Sequence, residues 1–169
     1  MDDPCVRDGF VLFWNGWPSQ WHPSPFNLDG ARYLCCEQYM MAGKARLFGD
    51  EETLAEILAA QTPKEHKALG RKVRGYDDAR WKAVCQEIVY RGNLAKYTQN
   101  PELRELLLGT GELILAEASP TDVLWGIGYA ADHPRAVRPE EWRGKNWLGE
   151  ALMRVRRELR GGQDPQQAG

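Results

Sequence analysis

Residues 33–50 read YLCCEQYMMAGKARLFGD, and this stretch decides most of what the sequence predicts. Apolar side chains recur there every three or four positions, which predicts an amphipathic helix over residues 35–48. Glu37 and Lys44 are seven positions apart, two turns at about 3.6 residues per turn, so both fall inside the apolar stripe. Charged side chains are rarely buried without a partner, so this placement needs an explanation.

The spacing alone leaves two explanations of this pair open. A carboxylate and an amine that face one cavity suit acid–base catalysis, because partial burial moves the pKa of such groups towards neutrality. Alternatively, Glu37 is favoured by the positive end of the helix dipole, and Lys44 extends along its stem to solvent.

Helical periodicity also governs much of the remaining chain. The predicted helices cover residues 51–60, 63–73, 78–98, 101–108 and 147–160. Thr62 followed by Pro63 and Glu65 is typical of a helix start. Short strands and loops are expected within residues 10–34, and ELILAEA at residues 112–118 is a predicted strand.

The composition is that of an ordinary globular chain of one domain, with 169 residues, of which 43% are hydrophobic and 27% charged. A formal net charge of -2 provides no overall field for gripping a nucleic-acid backbone. No secretory pattern opens the chain and no window is apolar enough to span a membrane, so we expect a soluble cytoplasmic protein. The four cysteines have no CxxC spacing and are expected to be reduced thiols.

Motifs of several common site classes are missing. The three histidines, His22, His66 and His133, lie far apart without the spacing of a metal site, so solvated or capping roles are expected. GxSxG, the P-loop and GxGxxG are absent, which removes the commonest signatures of hydrolases and nucleotide-binding folds.

A series of short motifs runs in order along the chain from about residue 10 to residue 157. It reads FW-G-W, SPF, DG-RY, EQYMMAGKARLFGD, GRKV, a tryptophan at position 81, EASPTDVLWGIG and GKNWLGEALMRVR. Each motif is modestly specific, but their order over nearly the whole chain resembles the YbiA-like, or NADAR (NAD and ADP-ribose), family.

The resemblance implies a fold and a division of the chain. The family fold is a compact single domain of the α+β class, mainly α-helical with a few short strands. Here that domain is expected at residues 10–160, between an N-terminal extension at residues 1–9 and a flexible tail at residues 161–169.

The resemblance also implies hydrolase chemistry. Characterised members are N-glycosidases that use neither a metal nor an organic cofactor, and they break the bond between ribose C1 and a nitrogen atom. One branch cleaves ribosylated pyrimidine intermediates of riboflavin biosynthesis, and another removes ADP-ribose from guanine in nucleic acid. The implied partner is therefore a small ribosylated nucleotide or ADP-ribosylated guanine, with no membrane, and the oligomeric state is open. A non-catalytic module that binds NAD or ADP-ribose is the competing interpretation.

Catalytic roles follow from the resemblance. Glu37 matches an acidic residue of the family and is expected to move a proton or to stabilise an oxocarbenium-like sugar. Lys44 matches the family's lysine and is a candidate for Schiff-base catalysis. Asp122 matches a loop aspartate that would bind ribose hydroxyls or orient water, against the alternative of an aspartate that forms a turn.

Other residues are candidates for binding the substrate. Trp125, beside Gly126, matches a tryptophan that can stack on a base, and Trp81 is expected in the core, in the pocket wall, or in both. Asn146 is expected to cap the last helix, whose N-terminus would also suit a phosphate. Aromatic side chains crowd the entry segment, which the family places at the site, and Trp21 is our candidate among them.

Residues 127–143 separate the WGIG and GKN motifs and form a longer connection than in short-loop members of the family. Because they include Arg135 and Arg138, one interpretation is a lid that closes over a phosphate-bearing ligand. The other is a surface excursion without a role in binding.

Overall fold

The fold is that of a computed structural model whose described residues are 3–161. These residues contain six α-helices and five short strands, so the predicted mainly helical α+β fold is confirmed. The chain divides into a helical unit, Gln20–Asn100, and a sheet unit formed by the segments that precede and follow it. Of the predicted tail, residues 162–169 lie outside the described residues. Within 3–161, every helix is too short or too polar to cross a lipid bilayer.

The elements lie close to their predicted positions, except for the first strand, which falls where no strand was predicted. The strands are β1 (Cys5–Arg7), β2 (Phe10–Phe13), β3 (Phe26–Leu28), β4 (Ala31–Tyr33) and β5 (Ile114–Glu117). The helices are α1 (Cys36–Leu47), α2 (Glu51–Ala59), α3 (Pro63–Gly70), α4 (Asp78–Gln99), α5 (Pro101–Gly109) and α6 (Trp147–Gly161). Asp50, Thr62 and Asp77 each accept a first-turn backbone N–H and so fix the starts of α2, α3 and α4.

One predicted helix end is wrong, because α3 stops at Gly70 and not near residue 73. The carboxylate of Asp50 accepts the backbone N–H of Arg74 at 2.9 Å and its guanidinium at 2.8 Å. These bonds draw the chain away from the helix axis just beyond α3, and tertiary contacts of this kind override local helical preference.

Helix α1 is the centre of the helical unit and packs against α2, α3 and α4. Its residues Cys36–Ala42 are all buried, so the predicted amphipathic pattern does not hold over the first two turns. A helix that is packed against neighbours on every side needs no polar, solvent-exposed face. The close approach of α4 depends on Gly92, where an added Cβ would lie 2.8 Å from the Tyr39 ring.

The sheet unit is built around β2, which pairs antiparallel with β1 and parallel with β5. All four residues of β2 are buried, as expected for a central strand covered on both faces. Helix α6 packs on β5, and Gly149 permits the contact because a Cβ there would lie 2.1 Å from the Leu115 carbonyl oxygen.

Residues 127–143 also pack on this sheet. Ile127, Tyr129 and Ala136 share a buried cluster with β2 and β5 side chains. Trp142 contacts the Phe10 ring edge-on at 6.1 Å and donates its indole N–H to the Ala136 carbonyl oxygen at 3.0 Å. The segment is therefore a folded part of the sheet unit, and its role as a lid over a ligand stays a prediction.

Candidate active site

The candidate residues are divided between the two units. Glu37, Lys44, Trp81 and Trp21 belong to the helical unit, whereas Asp122, Trp125, Gly126 and Asn146 belong to the sheet unit.

Glu37 lies in the first turn of α1 and is only 7% exposed. Lys44 is half-buried two turns further along the same helix, near enough for the Glu37 carboxylate to raise the pKa of the lysine. The structure therefore places these two predicted residues on one partly buried face of α1. A buried carboxylate with an amine in its field can transfer protons during a reaction.

The environment of Lys44 shifts the equilibrium of its amine towards the neutral form, relative to an ordinary lysine. Burial is the largest influence and lowers its pKa, the Arg71 guanidinium lowers it further, and the Glu37 carboxylate opposes both. A lysine with a lowered pKa has a larger neutral fraction and is a better nucleophile.

Tyr76 is a neighbour of Lys44 that the sequence reasoning missed. The Lys44 ammonium nitrogen lies 4.6 Å from the centre of the Tyr76 ring, a cation–π contact. The ring is held by an edge contact with Phe48 at 5.5 Å and by its hydroxyl, which donates to Asp78 at 2.8 Å. Tyr76 and Lys44 are far apart in sequence, so no periodic pattern could have paired them.

A second lysine, Lys96, is fully buried in α4 and was also missed. Burial lowers its pKa to about 8, while the nearby thiols of Cys36 and Cys35 act in the opposite direction. Helical spacing places Lys96 on the same face of α4 as Val89 and Asn93. Its position was therefore visible in the sequence in the same way as the positions of Glu37 and Lys44 in α1.

Buried hydrogen bonds fix the backbone at Glu37. Its N–H donates to the carbonyl oxygen of Gln20 at 3.0 Å, and the Gln20 side chain accepts from Asn93 at 2.8 Å. The Cys36 thiol donates to the Asn93 amide oxygen at 3.6 Å, so Asn93 links the Gln20 side chain to α1. A satisfied polar network of this kind rigidifies its surroundings and pre-organises the start of α1.

The two tryptophans of the helical unit differ in exposure. Trp81 is 6% exposed, which agrees with its predicted place in the core. Trp21 is 41% exposed, and the Lys67 ammonium nitrogen lies 5.9 Å from its ring centre. An exposed indole can meet a ligand, so the role of Trp21 in binding stays a prediction.

In the sheet unit, Asp122 forms a turn. One of its carboxylate oxygens accepts the backbone N–H groups of Leu124 at 2.9 Å and Trp125 at 2.8 Å. Trp125 is half-buried and packs edge-on against Trp147 at 5.7 Å. The turn-forming alternative for Asp122 is thus confirmed, and its catalytic role stays a prediction.

Gly126 and Asn146 hold this turn against the sheet. A Cβ at Gly126 would lie 2.9 Å from two backbone carbonyl oxygens, so a larger residue there would force the backbone to shift. Asn146 precedes α6 with a φ of 54°, and its side chain accepts from Glu117 N–H at 3.1 Å and donates to the Leu115 carbonyl at 2.9 Å. Asn146 occupies the predicted N-cap position of α6, since its carbonyl oxygen accepts the Glu150 N–H at 3.0 Å, but its side chain bonds the β5 backbone and not the first turn of the helix.

The histidines and thiols show mixed outcomes. His133 caps a short helical turn by accepting the Arg135 N–H at 3.1 Å, as expected. His66 was expected to be solvated or capping, but it is fully buried, with a ring nitrogen 2.9 Å from the Ala60 carbonyl oxygen. All four cysteines are free thiols. Within residues 3–161, no three potential metal ligands cluster as a metal site requires.

A cavity of about 200 Å³ in the sheet unit lies beside the exposed Trp14 and Cys5. None of the predicted site residues lines it. The cavity is open to solvent.

Comparisons with known proteins define the class. The model of the NADAR domain family matches residues 12–160, and the chain belongs to this family. The N-glycosidase R617 of Acanthamoeba polyphaga mimivirus is 43% identical over 145 residues, which cover 83% of this chain and 85% of the relative.

A solved structure and a plant relative extend the comparison. The NMR structure of the E. coli protein YbiA matches with a TM-score of 0.76 and 28% identity, over 95% of this chain and 90% of that one. The chloroplastic riboflavin biosynthesis protein PYRR of Zea mays is 32% identical over 114 residues, 65% of this chain but only 16% of the relative.

Proposed function

We propose that this protein is an N-glycosidase that hydrolyses the bond between ribose C1 and the nitrogen of a base-like amine. The observation that carries the proposal is the buried Glu37 carboxylate, which shares a helix face with the half-buried Lys44. The mimivirus relative that bears the name N-glycosidase supports the same chemistry.

Glu37 is proposed as the acid–base group. As the C1–N bond breaks, the departing nitrogen takes a proton and C1 becomes electron-poor. A carboxyl group can supply that proton, and the resulting carboxylate stabilises the positive charge and then accepts a proton from the attacking water. The oxygen of that water forms the new bond to C1, which restores Glu37 to its starting state.

Lys44 offers a covalent variant of the same reaction. Its neutral amine would attack C1 of the ring-opened sugar, displace the base-like amine and form a C1=N Schiff base, which water then hydrolyses. The lowered pKa of Lys44 makes the neutral amine more available. Borohydride added during turnover should leave a sugar adduct on Lys44 by mass spectrometry, whereas an unmodified lysine would assign the attack to water alone.

Two substrates belong to the proposed class. One is a ribosylated aminopyrimidine phosphate of riboflavin biosynthesis, which the name of the maize relative supports. The other is ADP-ribosylated guanine, free or in nucleic acid. Both present a ribose C1–N bond, so the proposed chemistry applies to either.

The direct test is a product assay with both substrates. Release of ribose phosphate or ADP-ribose is expected from at least one, with the mimivirus relative as a positive control. No product from either substrate beside an active control would contradict the proposal. Thermal stabilisation by ADP-ribose without turnover would favour a binding module instead.

A further inference from the structure

The sheet unit contains two arginines that converge on a single oxygen. Arg135 Nη1 lies 3.2 Å and Arg143 Nε lies 3.1 Å from the hydroxyl oxygen of Tyr129, and both donate to it. The hydrogen bond from Arg135 and then that from Arg143 lower the pKa of the Tyr129 hydroxyl, while burial opposes them. Two like charges are thereby held next to one another, which costs electrostatic energy unless an anion compensates.

The Tyr129 phenol, to which both arginines donate, is held in place by its neighbours. The Tyr129 ring is 4% exposed and belongs to the apolar cluster on the sheet. His133 stacks on the ring at 4.4 Å, and the Arg143 guanidinium carbon lies 4.6 Å from the ring centre. Both arginine side chains are therefore pre-positioned, while the residues themselves remain exposed to solvent.

The positive charge is only partly neutralised within this segment. Glu141 lies 3.2 Å from Arg138 and 3.9 Å from Arg135, so one carboxylate serves two guanidinium groups. Across residues 3–161, no carboxylate forms an ion pair with Arg143. A guanidinium has five N–H donors, so Arg143 retains donors beyond the one that Tyr129 uses.

Fastening the segment does not require these two arginines. The Arg7 guanidinium already donates to the carbonyl oxygens of Ala131 at 2.8 Å and His133 at 2.9 Å. The apolar cluster that includes Tyr129 and Ala136 packs the same segment against β2 and β5. Arg135 and Arg143 are therefore not the only contacts that hold this segment among the described residues.

We propose that Arg135 and Arg143, gathered by the Tyr129 hydroxyl, form a binding site for a phosphate group. Guanidinium groups bind phosphate through paired, charge-assisted hydrogen bonds, and two of them beside one oxygen can grip a single phosphate or a diphosphate. The phosphate belongs either to a free nucleotide or to a nucleic-acid backbone. The site does not depend on glycosidase turnover, so it extends the proposed function and can fail separately from it.

The test measures binding of ADP by titration calorimetry at low ionic strength, with adenosine as the ligand without phosphate. A single-stranded oligonucleotide without terminal phosphates tests the backbone source. The variants are R143Q and R135Q, which keep hydrogen-bonding capacity and lose charge. R157Q is the matched control, because Arg157 is an exposed arginine of α6 outside the cluster.

We expect R143Q and R135Q to weaken binding of ADP or of the oligonucleotide by about tenfold, since a hydrogen bond to a charged group is lost. R157Q should change it by less than about twofold. The ligand whose affinity falls identifies the source of the phosphate. The proposal would be overturned if wild type and both cluster variants bound each ligand with equal affinity. It would also be overturned if adenosine bound as tightly as ADP, or if R157Q weakened binding as much as R143Q and R135Q do. Thermal melts establish that the variants are folded.

Discussion

The buried Lys96 gives the protein an unusual dependence of stability on pH. Its folded pKa is about 8, below the ordinary value of 10.5 that applies to the unfolded chain. Between these two values the unfolded chain binds more protons than the folded one, so the free energy of unfolding rises with pH in that window. The substitution Lys96→Met removes the titrating group while nearly preserving its length and volume.

The size of the effect follows from the two pKa values. At pH 7 the lysine is charged in both states, and holding that charge in the interior costs about 3 kcal/mol relative to the unfolded chain. At pH 9.5 the folded lysine is neutral and the cost falls to about 1 kcal/mol. Wild type should therefore gain about 2 kcal/mol relative to Lys96→Met between pH 7 and pH 9.5.

Urea denaturation at both pH values, in the presence of a reducing agent, measures this difference. Cysteines and tyrosines also titrate in the range, and the comparison of wild type with Lys96→Met largely cancels their contributions. Lys72→Met is the control, because Lys72 is exposed and should show no such change. A stability difference between wild type and Lys96→Met that stays constant, or that moves against wild type at pH 9.5, would show that Lys96 does not titrate with a lowered pKa.

Substitutions at three further positions test the sites described above. Gly126→Ala is expected to lower the free energy of unfolding by about 1–3 kcal/mol, because the new Cβ would overlap two carbonyl oxygens; an unchanged urea midpoint would contradict this. Asn146→Ala should cost about 2–4 kcal/mol through two lost bonds to β5 and a left-handed φ, and Asn146→Gly should recover about 1 kcal/mol of it. Tyr76→Leu should lower the pKa of Lys44 and move the corresponding limb of the pH–rate profile to lower pH, whereas Tyr76→Phe should leave it in place.

The helices were predictable because their signals are local. Apolar spacing located all six helices of the described residues to within a few positions, and the Thr62 and Glu65 pair, which forms a capping box, marked the start of α3. The burial of Glu37 was also foreseeable, since its position in an apolar stripe depends only on helical geometry.

What sequence reasoning missed depends on contacts between distant parts of the chain. Asn146 has the residue type and position of a helix cap, but β5 offers its side chain two backbone partners, and these bonds prevail. Gln38 is polar and yet only 1% exposed, because its side-chain NH₂ group donates a hydrogen bond to the Ile57 carbonyl oxygen of α2 at 3.0 Å. Neither partner can be identified from the residues that flank these positions. The convergence of Arg135 and Arg143 on Tyr129 is hidden for the same reason.

Proton transfer by the buried carboxylate of Glu37 is the step on which the proposed cleavage of a ribose C1–N bond depends. The most direct measurement is the single-turnover rate of Glu37→Gln beside wild type, on whichever substrate wild type cleaves, with the free energies of unfolding of both proteins determined in parallel. The amide nearly preserves the shape of the side chain and cannot exchange a proton, so the rate should fall by about 100-fold or more while stability changes little. A Glu37→Gln protein that is equally stable and equally fast would contradict this account.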